Sequence, residues 1–314
     1  MASDFEEIDL TRIRTISIRE RESRVTLRDF GDPMKGGRAF SRWRAALPGQ
    51  LAVRRLEELA RGMRRAGSGG GEIVWMIGAH VIKCGLSRYL IELMRRGYCT
   101  AIAMNGAAAI HDFEIASFGE TSEDVSKGLE RGVFGFARET AEGCFAAVSR
   151  GRAESWGLGE AIGRSLDERK APHREYSILA AAHRFSVPAT VHVAIGTDIL
   201  HQHPGFDGGA WGDLSARDFR IFAAKVERLG RSGGVALNVG SAVILPEVFL
   251  KAFSIARNLG APFDRLTACN MDMMQHYRPS TNVLSRPTGF GGASIAITGH
   301  HEIMIPLLYS FLLS

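Results

Sequence analysis

The stretch "IVWMIGAHVIKCGLSRYLIELMRRGYCTAIAMNGAAAIHDFE", residues 73–114, decides the fold. Its opening "IVWMIG" (73–78) is a short apolar run ending in glycine, which reads as a buried strand. "LSRYLIELMRRG" (86–97) then spaces its apolar residues as a helix does and stops at a glycine. "TAIAM" (100–104) is a second buried strand, breaking into Asn-Gly, three alanines, His-Asp and a glutamate two residues on. Small residues let a ligand approach the backbone closely, and polar groups beside them suggest that one does.

The alternation continues to the end of the chain. "ATVHVAIG" (189–196), "GVALNVG" (234–240), "RLTAC" (265–269) and "SIAITG" (294–299) read as strands. "TSEDVSKGLERG" (121–132), "FGFARETAEGCFAAVSRG" (134–151), "SARDFRIFAAKVERLG" (215–230), "PEVFLKAFSIARNLG" (246–260) and "EIMIPLLYSFLL" (302–313) read as helices. Strands alternating with helices make βαβ units, so the expected class is α/β, a doubly wound, mostly parallel sheet with helices on both faces. "AGSGGGE" (66–72) reads as a joint between two parts. Residues 70–314 form the α/β domain. Residues 1–69 are an Arg-rich segment, with a helix at "VRRLEELARGMRRA" (53–66) and a strand or hairpin within "RTISIRERESRVTL" (14–27), expected to pack on the body or on a neighbouring subunit.

The 314 residues are 45% hydrophobic and 23% charged, as in a globular protein. The net charge of +5 is local: residues 1–65 hold 15 Lys/Arg against 10 Asp/Glu, and the remainder 24 against 24. Aromatic residues are not interleaved with these arginines, and no nucleic-acid motif occurs, so nucleic acid is not an expected partner. The longest apolar run, "IMIPLLYSFLL" (303–313), falls short of the ~18 residues that span a bilayer, so no membrane is expected. Met1 is followed by "ASDFEEIDL", without a basic or apolar leader, and the four cysteines show no paired spacing, so a cytoplasmic protein is expected.

In open α/β sheets ligands sit beyond the carboxyl ends of the strands. The turns that follow strands are "GAHVIKCG" (78–85), "NGAAAIHDFE" (105–114), "GTDILHQHP" (196–204), "NVGSA" (238–242), "TACNMD" (267–272) and "GHHE" (299–302). They contain His80, His111, His201, His203, His300 and His301. His111, His203 and His300 are expected to face one cleft, with Asp112 and Asp198 bonded to two of them. No P-loop, HExxH or GxSxG pattern occurs.

These ordered turns resemble deoxyhypusine synthase over residues 70–314. "IGAHVIKCGL" is similar to that family's "YTSNLVSSGL", "MNGAAAIHDFE" to "TTAGGVEEDL", "LTACNMD" to "INTAQEFD" and "GHHEIMIPLLY" to "ADASLVFPLLV". "HRFSVPATVHVAIGTDILHQHP" and "GVALNVGSAV" also have counterparts in the same order. The resemblance implies an NAD-binding fold, a homotetramer and a cofactor cleft lined by Gly78, Ala79, His80, Asn105, Gly106, His111, Asp112, Gly240, Thr267, Ala268, His300 and His301. The family's lysine-bearing segment corresponds to "STNVLSRPT" (280–288), which has no lysine, acid or tryptophan. The expected function is therefore an NAD-dependent enzyme acting on an amine, polyamine or related small substrate without the lysine-imine relay. Asp198 would orient the substrate, and His203, His111 or His300 would act as base. Two alternatives stand beside it: a Zn²⁺ enzyme using His201, His203, His111 and His300, and a non-catalytic nucleotide-binding homologue.

Overall fold

The computed structural model describes residues 8–33 and 37–313. Its centre is a six-stranded, wholly parallel sheet of β2 (Ile73–Ile77), β3 (Ala101–Asn105), β5 (Ala189–His192), β6 (Val235–Val239), β7 (Thr267–Asp272) and β8 (Ala293–Thr298). The strand order is β5-β3-β2-β6-β7-β8. Counted along the chain, these six strands lie in the order 3-2-1-4-5-6, the doubly wound Rossmann arrangement. A small antiparallel pair stands apart from the sheet: β1 (Ser23–Thr26) with β4 (Glu120–Glu123).

The helices follow in order: α1 (Arg38–Ala46), α2 (Leu51–Ser68), α3 (Ala79–Lys83), α4 (Ser87–Arg95), α5 (Gly106–Phe118), α6 (Val125–Glu130) and α7 (Arg138–Ala153). Then come α8 (Leu158–Glu168), α9 (Ile178–Arg184), α10 (Gly208–Ser232), α11 (Ile244–Asn258), α12 (Arg286–Thr288) and α13 (His301–Leu313). Period-two geometry explains why β2 is apolar throughout. Ile73, Trp75 and Ile77 face a core with α2, α4, α5 and α13, whereas Val74 and Met76 face a second core with α10 and α11.

Two sequence readings change. Residues 120–123 form β4 rather than the start of a helix, because they pair with β1. Within 14–27, β1 takes a partner about a hundred residues away instead of folding back as a hairpin. The helix expected at 53–66 is α2; it packs on the sheet, with Gly62 beside Thr267 and Val235.

Asp112 and Asp218 show how buried carboxylates tie layers together. Asp218 on α10 accepts from Gly159 N at 2.9 Å and Val191 N at 2.7 Å. Asp112 is fully buried and accepts from Ser177 Oγ, Ile178 N at 2.7 Å and Leu179 N at 3.1 Å, closing the start of α9. It therefore does not face the cofactor cleft expected from the sequence. Removing the carboxylate strands these buried donors. Asp112→Ala is expected to lower stability by about 1–3 kcal/mol, read as a fall in urea midpoint. An unchanged midpoint would show that the cap is dispensable.

Candidate functional site

The strand order reverses between β2 and β6. α3 leaves β2 toward one core, and α11 leaves β6 toward the other. Such a switch point opens a crevice at the carboxyl ends. Two glycines form its floor. A Cβ on Gly78 would lie 1.9 Å from the Gly240 carbonyl oxygen, and Gly240 has φ +67°. Each is therefore held to glycine by contact or by backbone conformation.

Buried polar groups line the same end. His301 Nε2 lies 3.3 Å from the Met271 carbonyl, which can only accept, so Nε2 carries the hydrogen. His301 Nδ1 is then a bare acceptor, buried and without a partner. Burial pulls its imidazole below the ordinary range, with Asp272 opposing. The His80 ring stands edge-on to it at 5.5 Å. Asn238 Nδ2 donates to Ser241 O at 2.9 Å and to Asn270 Oδ1 at 2.7 Å, while Asn238 Oδ1 has no partner. A switch-point crevice with two orphaned buried acceptors awaiting donors fits a dinucleotide with hydroxyl and carboxamide groups. Asn105 serves otherwise: its side chain accepts from Ala108 N at 2.9 Å and caps α5.

A second feature lies beside the start of α5. A cavity of about 200 Å³ is lined by residues that include Lys83, Ala107, His111, Glu123 and Asp198. Asp198 reaches over the first turn of α5, where a Cβ on Gly106 would lie 2.0 Å from its Oδ2. Burial pushes the Asp198 carboxyl up to about 6, and the Ala107 amide partly opposes this. Its Oδ2 has no hydrogen-bond partner. His111 and Glu114, three residues apart, share one face of α5. His111 Nδ1 lies 2.7 Å from Thr121 Oγ1. Burial pulls the imidazole down to about 4; Glu114 counters this, and Lys83 and Arg21 reinforce it. At neutral pH His111 is therefore uncharged.

Other expected site residues go elsewhere. Thr267 and Ala268 open β7, so they lie at the amino end of the sheet and away from the crevice. His203 is buried, with Nε2 2.8 Å from the Gly135 carbonyl, and holds that turn. His300 is 64% exposed beside Glu302. His201 Nδ1 accepts from Gly196 N at 3.0 Å and Asp198 N at 3.2 Å, so it organises its own loop. The shared histidine cleft does not form. Among the described residues no group of three His, Cys, Asp or Glu is placed to hold a metal ion. Lys83, which the sequence reading passed over, is the one lysine lining the cavity. The only hint was its place one short helix after β2.

In comparison with known proteins the stronger likeness is to ArgZ-like proteins rather than to deoxyhypusine synthase. Residues 57–135 match the model of the family "Arginine dihydrolase ArgZ-like, C-terminal, Rossmann fold". That span carries Gly78, Lys83, His111, Glu114 and Thr121. A bifunctional arginine dihydrolase/ornithine cyclodeaminase, ArgZ of Synechocystis sp., is 33% identical over 101 residues, 32% of this chain and 14% of that protein. The structure of AgrE with ornithine and NAD+ superposes with TM-score 0.53 at 18% identity, covering 82% of this chain and 33% of that one. A putative LOR/SDH protein of Methanococcus maripaludis S2 gives TM-score 0.52 at 16% identity, covering 84% of this chain and 70% of that one. The chain thus spans about a third of the AgrE structure. Among the described residues no helix is long and apolar enough to cross a membrane. The chain has a Rossmann-like α/β fold, and its sequence likeness runs to the ArgZ-like C-terminal domain.

Proposed function

We propose that this chain is an NAD-dependent enzyme that removes a hydride from the amine-bearing carbon of a small amino acid, with the cavity at α5 as the substrate site. One observation carries the reading: about 200 Å³ of space lined at once by an amine (Lys83), a carboxylate (Asp198) and a neutral imidazole (His111). A substrate with a carboxylate and an amino group finds a counter-charge for each. The likeness to ArgZ and the presence of ornithine with NAD+ in AgrE support a diamino acid.

The residues divide the work as follows. Lys83 pairs with the substrate carboxylate. Asp198, whose Oδ2 makes no hydrogen bond within the protein and has the His201 Nε2 at 3.8 Å, takes the distal ammonium. His111 accepts a proton from the substrate amine as the C–N bond gains double-bond character. The Gly78 and Gly240 turns and the acceptors His301 Nδ1 and Asn238 Oδ1 would hold the dinucleotide. NAD, when bound, supplies the hydride acceptor.

The test is NADH formation with a panel of amino acids and their decarboxylated amines. Turnover of a diamino acid is expected, and NAD without effect on melting temperature or absorbance across the panel would refute the reading. Lys83→Met should raise KM for carboxylate-bearing substrates about ten- to a hundredfold, the equivalent of one charged hydrogen bond of ~1.5–3 kcal/mol. It should leave KM for the decarboxylated amines nearly unchanged.

Asp198 gives the pH dependence. Its carboxyl, pushed up to about 6, is ionised only above that pH. kcat/KM for a diamino acid is expected to rise through about pH 6 and then level. Asp198→Asn should lower the plateau and remove that limb. A limb that persists in the variant would assign it to another group.

A further inference from the structure

The Arg-rich segment contributes one side chain to this site. Arg21 is 4% exposed and forks onto Glu114, itself 1% exposed, with Nη1–Oε1 at 2.9 Å and Nη2–Oε2 at 3.0 Å. Glu114 also accepts from Thr140 Oγ1 at 2.9 Å and from Thr121 Oγ1. Glu123 Oε1 stands 3.8 Å from Arg21 Nη1. The segment is tied down around Arg21. Ser17 Oγ and Ile18 N donate to Glu139 at 2.7 and 2.8 Å, and Ser23 and Val25 lie opposite Glu123 and Thr121 in the β1–β4 pair.

Hydrogen-bond accounting along this chain leaves one arrangement. A carboxylate forked by arginine only accepts. Thr121 has one hydroxyl hydrogen and gives it to Glu114. Its oxygen, 2.7 Å from His111 Nδ1, must then accept, so Nδ1 carries the imidazole hydrogen. Nε2 of the neutral ring keeps its lone pair. From this we infer that Arg21, through Glu114 and Thr121, is a positioning residue that fixes His111 as the Nδ1–H tautomer and so makes its Nε2 the base of the cavity. The inference rests on the reading of this cavity as the substrate site only for its effect on turnover.

The reverse case shows what Arg21 does. Without the guanidinium, Glu114 would be a buried charge without its counter-ion, and it would take a proton from water instead. A protonated carboxyl donates to Thr121. The threonine hydroxyl then turns and donates to His111 Nδ1, and the ring hydrogen moves to Nε2. The base has become a donor, with the proton count of the ring unchanged.

The experiment reads the tautomer directly. Full-length protein labelled with ¹⁵N is compared with Arg21→Met, Thr121→Val and Thr121→Ser in long-range ¹H–¹⁵N spectra, with His111→Gln used to assign the signals. The wild type and Thr121→Ser are expected to show the Nδ1–H pattern. Arg21→Met and Thr121→Val should shift toward Nε2–H, and turnover should fall at least tenfold with KM held within about twofold, as for loss of a positioned base. Thr121→Val tests the relay even if Arg21→Met does not fold. An Nε2–H pattern in the wild type, or the Nδ1–H pattern retained in the folded valine variant, would overturn the inference. Absence of turnover in the wild type would refute the substrate reading alone, because the spectra decide the relay without it.

Discussion

A carboxylate buried to 1% exposure must be given its counter-charge, and Glu114 receives it from 93 residues earlier in the chain. This requirement organises one whole flank of the molecule. Glu114 sits on α5 and receives hydroxyls from β4 and α7 and a guanidinium from the segment before β1. Breaking such a pair by removing one partner costs far more than the pair itself contributes, about 3–5 kcal/mol. The leading segment is thus held to the domain by a charge that cannot be left alone.

The other constraint is geometric. A doubly wound sheet must send its connections to opposite faces somewhere, and here it does so between β2 and β6. The turns there come close enough that a methyl group on Gly78 would overlap the Gly240 carbonyl. The crevice and the cavity adjoin the same sheet end because α3, which begins at Ala79 beside the glycine pair, ends at Lys83 in the cavity wall. One short helix joins the two features.

The fold was legible because period-two and helical patterns are local. Each strand of the sheet coincides with an apolar run, whereas the reversal at β2/β6 depends on strand order, which pairing between distant segments decides. The site was legible only in part. The apolar pattern predicts a strand over 265–269 with a turn that begins near Thr267, but β7 runs to Asp272, and the shift carries Thr267 and Ala268 to the far end of the sheet. Along α5 a single residue decides the outcome: His111 and Glu114 face the cavity side, whereas Asp112, rotated by about 100° per residue, closes α9. The Zn²⁺ alternative enlists His201 and His203, yet one nitrogen of each ring is taken by a backbone group of a neighbouring turn. Nothing in a sequence marks Arg21 as the partner of Glu114, because the β1–β4 pairing that brings them together is not local.

The segment "STNVLSRPT" has no lysine, but this does not leave the site without an amine. It forms a π-helical turn (Pro279–Ser285) and α12, whereas Lys83 reaches the cavity from the end of α3. An amine facing a carboxylate across a small space suits a substrate with both charges. A polyamine offers no carboxylate for Lys83 to pair with. The neutral state of His111 follows first from burial; Glu114 opposes it, and two cations, Lys83 and Arg21, act in the same direction as burial. A ring kept uncharged in this way is a weaker base than free histidine. It is nevertheless available as an acceptor over the whole neutral range, and a second cation is not added beside the substrate's own.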